Sequence, residues 1–384
     1  MDAYQITLPV KVRFGAGSLD AIGDEANQLA VKHALVVTDP GVYGAGLTDP
    51  VKEHLSGAGL SVEVFSEAEP EPTLTRLDAM ARELRNYRFD LLVGVGGGSS
   101  IDMAKGLSAL LAHGRTGQDY LGIDNVPGPG IPVFALPTTA GTGSEVTGIA
   151  IFGEPERELK QGMVSPYLLP RVALVDPALT YGCPQKVSAS SGIDALVHAI
   201  ESYTGSKANR FSDALALEAI RLIVGNLKTV VGNPSDKESR KHMAEGALLA
   251  GMAFANSGVG AVHALAYPLG GRFHVPHGVA NGLLLAHVMK YNLSANISKY
   301  VVVAKMLGVE TQGLCQEEAA EKGVEAAKIL AADIGIPIRL RDLEIPEEAL
   351  DGMAVSTMEV TRLLSNNPRR LTLDDVRRIW QDAW

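Results

Sequence analysis

Residues Asp90–Lys105, DLLVGVGGGSSIDMAK, decide the fold of the first half of the chain. An apolar run at Asp90–Val95 leads directly into three glycines and then into a helix-like segment. A buried strand that ends in glycines and opens a helix is typical of a phosphate-binding turn, because glycine admits an anion close to the backbone and the helix presents free N–H groups. The fingerprint G-x-G-x-x-G fails at Ser99, and no P-loop Gly-Lys-Ser/Thr follows. We predict that phosphate is bound by Gly96, Gly97, Gly98 and Ser99, with an ordinary tight turn as the alternative.

Similar apolar runs occur on both sides of this stretch. They are rich in Val, Leu and Ile without alternation, as strands buried on both faces are, and they span His33–Thr38, Ser61–Phe65, Ile131–Leu136 and Arg171–Val175. Amphipathic segments such as Pro50–Ala58 and Leu74–Asn86 lie between them. This alternation predicts an α/β N-terminal domain with a parallel sheet and dinucleotide-binding, Rossmann-like topology. Ile6–Phe14 is predicted to be a hairpin or an edge strand.

A second candidate loop, PTTAGTGSE at Pro137–Glu145, also follows an apolar strand. Its hydroxyl groups suit phosphate or ribose oxygens, and they belong to Thr138, Thr139, Thr142 and Ser144. Two such loops at strand ends point to a dinucleotide rather than to one isolated phosphate. Asp39 ends another strand, where its carboxylate would bind ribose hydroxyls and repel a 2′-phosphate. That favours NAD over NADP, although a strand-end Asp is often only a turn residue.

From about Pro184 the segments become long, rich in alanine and leucine, and helical in period. Convincing strands disappear from the pattern, so we predict an all-α C-terminal domain. The expected division is 1–183 for the α/β domain and 184–384 for the helical domain. A ligand is expected in a cleft between two such domains.

Charge and composition exclude several classes of partner. The 384 residues carry 34 Lys and Arg against 44 Asp and Glu, a net charge of −10, which argues against nucleic acid or an anionic membrane surface. The two cysteines rule out a disulfide framework and fit a reducing compartment. We find no signal peptide and no stretch long enough to span a membrane, and therefore expect a cytoplasmic protein.

Two stretches of the helical half carry candidate metal ligands. Asp194 and His198 are four apart in GIDALVHAIESYT, so both side chains leave one face of a helix. His263 and His277 lie further along the chain. One carboxylate with two or three imidazoles suits a divalent transition metal. His274 follows an aromatic residue and is expected to face away from His277, so we assign it to the pocket.

The motifs in their order strongly resemble the iron-containing (group III) alcohol dehydrogenase family, which shares the dehydroquinate synthase-like fold. They are GGGSSIDMAK, PTTAGTGSEVT, GIDALVHAIESY and HALAYPLGGRFHVPHGVANGLLLAHVMKYN. The resemblance implies Fe²⁺, or Zn²⁺ in some members, held by Asp194, His198, His263 and His277. It implies NAD(H) on the N-terminal domain, with the pyrophosphate on Gly96–Ser99 and further contacts from Lys160 and Leu179. It also implies a homodimer or a larger homo-oligomer.

The implied reaction is hydride transfer between nicotinamide and a small primary alcohol, a diol or the corresponding aldehyde, with the metal polarising the substrate oxygen. Several relatives have a second histidine four residues after the third ligand, where this chain has Tyr267. The proton path is therefore expected to use His274, Tyr267 or water. The pocket residues Phe254, Val259 and Phe273 favour a small, moderately apolar substrate.

Alternative functions remain at this level. Glycerol dehydrogenases and dehydroquinate synthases share the architecture but use three protein ligands, which the four positions here argue against. A metal-dependent lyase or hydrolase acting on a nucleotide-sugar phosphate is a second alternative. A catalytically silent metal-binding or filament-forming protein is a third, and the complete ligand and loop motifs argue against it.

Overall fold

The computed structural model describes residues 4–7, 11–154, 156 and 159–384. Among these residues, 11–183 form one compact unit, and 184–384 together with 4–7 form a second. Thr7 belongs to the second unit because its backbone N–H donates to Asn256 Oδ1 at 2.6 Å and its carbonyl accepts from Asn256 Nδ2 at 3.0 Å. Residues 4–7 thus pack with the helical unit, and the predicted division into 1–183 and 184–384 stays a prediction.

The first unit is built on a six-stranded sheet in which every pairing is parallel. Its order is β1 (Val12–Phe14), β9 (Val172–Val175), β6 (Val133–Pro137), β4 (Leu91–Gly96), β2 (His33–Val37) and β3 (Ser61–Phe65). Both faces of the inner strands are buried, as is typical of parallel sheets, and this burial explains why their apolar runs are continuous. The predicted parallel sheet is confirmed, and β1 is an edge strand within the predicted 6–14 region, of which 8–10 lie outside the described residues.

Helices cover both faces of this sheet: α1 (Ile22–Gln28), α2 (Pro40–Gly44), α3 (Asp49–Gly57), α4 (Leu74–Leu84), α5 (Gly98–His113) and α6 (Gly117–Tyr120). Alternate residues of β2 enter different cores, as the period of a strand requires. Leu35 and Val37 pack with residues of α4 and α5, whereas Ala34 and Val36 pack with residues of α1 and α3. Helices therefore enclose the sheet on both faces, and the two predicted phosphate-binding loops follow the ends of β4 and β6.

A smaller sheet was not predicted from the sequence. It contains β5 (Gly122–Ile123), β8 (Leu159–Val164) and β7 (Ile149–Glu154), with β7 and β8 antiparallel. β5 has only two residues, and β7 and β8 interrupt their apolar residues with Gly153–Glu154 and Lys160–Gly162, so they lack the continuous apolar run that marked the larger sheet. Tertiary packing outweighs their weak strand propensity.

The second unit contains the helices α7 (Gln185–Thr204), α8 (Arg210–Gly232), α9 (Lys237–Ser257), α10 (Ala261–Phe273), α11 (His277–Asn292), α12 (Ile297–Met306), α13 (Gln316–Asp333), α14 (Leu350–Glu359), α15 (Thr361–Leu364) and α16 (Leu373–Ala383). Every residue of α7 from Gly192 to Thr204 is buried. This helix packs against α8, α9 and α11, which places its polar residues inside the unit. The predicted fold class, a parallel-sheet part followed by a helical part, is confirmed.

No single helix among the described residues has the length and hydropathy of a membrane span. α9 and α10 meet such a criterion only when taken together, and the chain bends by 105° between them.

Candidate metal centre

Three helices of the second unit bring Asp194, His263 and His277 together. Asp194 lies on α7, His263 near the start of α10, and His277 at the start of α11. One ligand atom from each lies within 4.8 Å of the others. His263 Nε2 is 3.7 Å and His277 Nε2 is 3.9 Å from Asp194 Oδ1. An oxygen and two imidazole nitrogens that converge in this way form a donor set for a divalent transition metal.

His198 contacts this cluster through its ring. It is buried one turn after Asp194, and its imidazole stacks on that of His263 with 4.6 Å between centroids and 25° between planes. The His198 ring also stacks on Phe254, with centroids 4.5 Å apart. The set of ligand atoms within 4.8 Å does not include His198. Its role as a fourth ligand, and the argument from four ligands against a glycerol dehydrogenase-like enzyme, stay predictions.

The environment of Asp194 favours its anionic form. Burial raises the pKa of this carboxyl group, but the nearby His198, His277 and His263 and a hydrogen bond from Asn281 outweigh burial and lower the pKa below its usual value. The Asn281 amide donates to Asp194 Oδ1 at 2.6 Å and lies 3.1 Å from His277 Nε2. A buried carboxylate held in this way is ready to bind a cation.

His263 presents a buried ring nitrogen to Asp194. Its Nδ1 lies 2.7 Å from Glu201 Oε2, while its buried Nε2 has no hydrogen-bond partner among the described residues. A buried polar atom without a partner is costly in a folded protein. Because this nitrogen faces Asp194, the donor set fits a divalent cation.

The two predicted proton-transfer residues lie on or next to α10. Tyr267 is buried one turn after His263, with its ring centroid 6.3 Å from that of His277. His274 is exposed at the carboxyl end of α10, where its φ of 54° ends the helix. Of the predicted pocket residues, Phe254 and Val259 are buried and Phe273 is half-buried.

The glycine loop of the first unit lies between β4 and α5. Gly96 has φ +152° and Gly97 is the N-cap residue, without a side-chain cap from the described residues. A Cβ on Gly98 would lie 2.9 Å from Thr142 Cγ2, so the two predicted phosphate-binding loops touch each other. Ser99 Oγ accepts a hydrogen bond from the N–H of Glu71 at 3.3 Å. The helix N-terminus thus has the geometry that an anion requires.

The second loop, Pro137–Glu145, is held by the buried side chain of Lys105. Lys105 Nζ donates to Ser144 Oγ at 2.7 Å and to the carbonyl of Ile149 at 2.8 Å, and Ser144 in turn donates to Asp102. Burial lowers the pKa of Lys105 to about 8, despite the opposing effects of Asp102 and Glu145. The Ser144 hydroxyl is therefore bonded within the protein. Thr138 is also buried, whereas Thr139 and Thr142 are half-buried.

The remaining predicted cofactor residues have varied surroundings. Asp39 caps α2 by accepting from the N–H groups of Gly41 and Val42 at 2.9 and 3.0 Å. Lys160 lies on β8, buried, and forms an ion pair with Glu71. Leu179 packs in the hydrophobic core between the sheet and its helices. The contacts of these three residues with NAD therefore stay predictions.

Sequence reasoning missed Glu201, Asn281 and Lys105, although a signal for each was present. Glu201 is seven residues after Asp194, on the same helix face, and Asn281 is four after His277. Lys105 closes the glycine-loop motif, where a cation inside an otherwise apolar helix requires buried partners.

Comparison with known proteins covers nearly the whole chain. The family model "Iron-containing alcohol dehydrogenase" matches residues 9–177, and the model "Fe-containing alcohol dehydrogenase family, C-terminal" matches residues 188–384. Long-chain-alcohol dehydrogenase 1 of Geobacillus thermodenitrificans is 41% identical over 387 residues, spanning 100% of this chain and 98% of its own.

Solved structures agree with this assignment. A 1,3-propanediol oxidoreductase has a TM-score of 0.96 at 39% identity, with 100% of both chains covered. A sulfoacetaldehyde reductase from Bifidobacterium kashiwanohense, solved in complex with NAD⁺, has a TM-score of 0.87 at 30% identity, covering 100% of this chain and 99% of that one. The predicted reaction class and the predicted NAD and iron cofactors are confirmed at the level of the family. The chain belongs to the iron-containing alcohol dehydrogenase family and is an NAD-linked oxidoreductase of alcohols and aldehydes.

Proposed function

We propose that this enzyme interconverts small primary alcohols or diols and their aldehydes at a metal held by Asp194, His198, His263 and His277. The observation that carries the proposal is the convergence of a buried carboxylate with two imidazoles, one of which has a buried nitrogen without a hydrogen-bond partner among the described residues. Bound there, Fe²⁺ or Zn²⁺ would supply a Lewis acid for the substrate oxygen. The anionic Asp194 would offset part of the cation's charge. His198 would complete the set from the next turn of α7.

We propose that 1–183 binds NAD(H) and that 184–384 binds metal and substrate. The N-terminus of α5, with Gly96, Gly97, Gly98 and Ser99, would hold the pyrophosphate. The remaining contacts are assigned to Asp39 for the ribose and to Thr138, Thr139, Thr142, Ser144, Lys160 and Leu179. Support for Asp39 comes from its position at the end of β2, within 3.4 Å of the Ser100 hydroxyl that follows the glycine loop.

We assign the transfer of the alcohol proton to Tyr267 and His274. Tyr267 is buried near the His277 ring, whereas His274 is exposed to solvent. Tyr267 would take the proton beside the metal centre, and His274 would pass it to solvent. Phe254 stacks on His198 and would line the pocket together with the buried Val259, and both would favour short, moderately apolar substrates.

The experiment is an NADH-linked screen of short aldehydes on protein stripped of metal and reloaded with Fe²⁺ under anaerobic conditions or with Zn²⁺. We expect metal-dependent consumption of NADH with at least one aldehyde, and none with the stripped protein. The test should include the aldehydes derived from propanediols and longer-chain aldehydes, because similar proteins are named for propanediol and for long-chain alcohols. Failure of every aldehyde to consume NADH on metal-loaded protein would contradict the proposal.

We further propose a cytoplasmic homodimer or larger homo-oligomer, with no nucleic-acid or membrane partner. The edge position of β1, which pairs only with β9 among the described strands, supports pairing with a second copy. The low cysteine content of the chain, only Cys183 and Cys315, fits a reducing compartment. Light scattering after size-exclusion chromatography tests the assembly, and a monomer at all concentrations would refute it.

A further inference from the structure

Glu201 is a buried carboxylate beside the metal centre whose oxygens make three short contacts. It lies on α7, only 6% exposed, on the helix face that carries Asp194. Its Oε2 accepts from the N–H of Gly260 at 2.9 Å and lies 2.7 Å from His263 Nδ1. Its Oε1 accepts from the N–H of Val262 at 2.7 Å. The side chain therefore joins α7 to the start of α10.

The contact with Glu201 selects one tautomer of the His263 ring. A carboxylate oxygen only accepts hydrogen bonds, so the contact with Glu201 places the ring proton of His263 on Nδ1. The lone pair then lies on Nε2, the nitrogen that a metal ion would use. Nε2 is buried 3.7 Å from Asp194 Oδ1, in the direction of the other two ligand atoms.

We propose that Glu201 is a positioning residue of the metal site: it holds His263 in the Nδ1–H tautomer and in the orientation that presents Nε2 beside Asp194. The inference rests on the proposed metal-binding function and extends it to a residue outside the ligand set. Carboxylates that bind the second nitrogen of a ligating histidine raise its basicity and fix its ring. Loss of Glu201 should therefore weaken metal binding without removing any ligand.

The competing role for Glu201 is that of a helix cap alone. The N–H groups of Gly260 and Val262 lie at the N-terminus of α10, where backbone donors lack helical partners. Asn367 caps the same helix end, since its Oδ1 accepts from the N–H of Ala261 at 3.4 Å, and no hydrogen bond between Asn367 and His263 occurs among the described residues. Asn367 thus offers a matched control on the same helix end.

The test compares the full-length Glu201→Gln and Asn367→Ala variants with the wild type, using Co²⁺ as the probe. Glutamine is isosteric with glutamate, but it has one acceptor oxygen and cannot serve Val262 and His263 at once. Affinity is measured by competition with a chelator, geometry by the visible absorption of bound Co²⁺, and stability by thermal melting. We expect Glu201→Gln to weaken Co²⁺ binding about 10- to 100-fold and to change the absorption spectrum. Asn367→Ala should lower the melting temperature but leave affinity and spectrum unchanged.

Wild-type affinity and spectrum in Glu201→Gln would overturn the inference, and so would an equal loss of affinity in Asn367→Ala. If the wild type itself binds no Co²⁺, the proposed metal site is wrong and the inference falls with it. A measurement without any variant provides a second test. In metal-free wild-type protein labelled with ¹⁵N-histidine, at a pH where the His263 ring is neutral, NMR should show its single proton on Nδ1, and a neutral ring with its proton on Nε2 would refute the assignment.

Discussion

Replacement of Gly278 by alanine tests whether the close approach of two helices sets the geometry of the metal centre. Gly278 follows His277 at the start of α11 and lies against α7. A Cβ built there would be 2.6 Å from the carbonyl carbon of Ser190, still closer to its oxygen, and 3.3 Å from Asp194 Cβ. The nearest atoms belong to backbone and cannot rotate away, so the helices themselves must separate.

The size of the effect follows from these distances. Carbon atoms in contact prefer about 3.5–4.0 Å, so the helices must move apart by about 1 Å. His277 and Asp194 lie on the two helices concerned, and metal–ligand distances tolerate only about 0.2 Å. We therefore expect overpacking to lower the free energy of unfolding by about 1–3 kcal/mol. Affinity for Zn²⁺ should fall at least about tenfold, which corresponds to roughly 1.4 kcal/mol.

The assay combines urea denaturation of metal-free protein with chelator competition for Zn²⁺. Gly225→Ala is the matched control, because Gly225 is also a helical glycine and nothing lies within 4 Å of its added Cβ. Alanine at that site should raise stability by about 0.5–1 kcal/mol and leave Zn²⁺ affinity unchanged. If Gly278→Ala unfolds at the wild-type urea concentration and retains Zn²⁺ equally well, the helix approach does not control the site.

Three further predictions concern individual side chains. His263→Ala should abolish both metal retention, measured by elemental analysis, and NADH-linked turnover, whereas His242→Ala, on a partly exposed helix face, should alter neither. The pKa of Lys105 is lowered to about 8 from 10.5, so the unfolded chain binds more protons between these values and stability should rise with pH across this window. Urea midpoints at intervals from pH 8 to 10 should show this rise relative to Lys105→Met, and an identical pH dependence of the two proteins would contradict it. Asp39→Asn keeps the helix cap but removes the charge, so the ratio of kcat/KM for NADPH to that for NADH should increase; an unchanged ratio would show that Asp39 does not select the cofactor.

Features with short-range signals were predictable from the sequence alone. The apolar runs predicted the parallel strands, since a strand buried on both faces is apolar at consecutive positions. Glycines between β4 and α5 indicated the turn from strand to helix, and the four-residue spacing of Asp194 and His198 placed both on one helix face. The family also followed from motifs that are contiguous in the chain.

Tertiary structure alone decided which of these residues meet and how. Glu201 and His263 are 62 residues apart, and their contact depends on how α7 packs against the start of α10. The stacked ring of His198, the exposure of His274 and the bonding of Ser144 to Lys105 likewise arise from packing. The sequence determines which chemical groups are present and on which local face they lie. Their distances depend on the packing of whole helices, to which residues far apart in the chain contribute together.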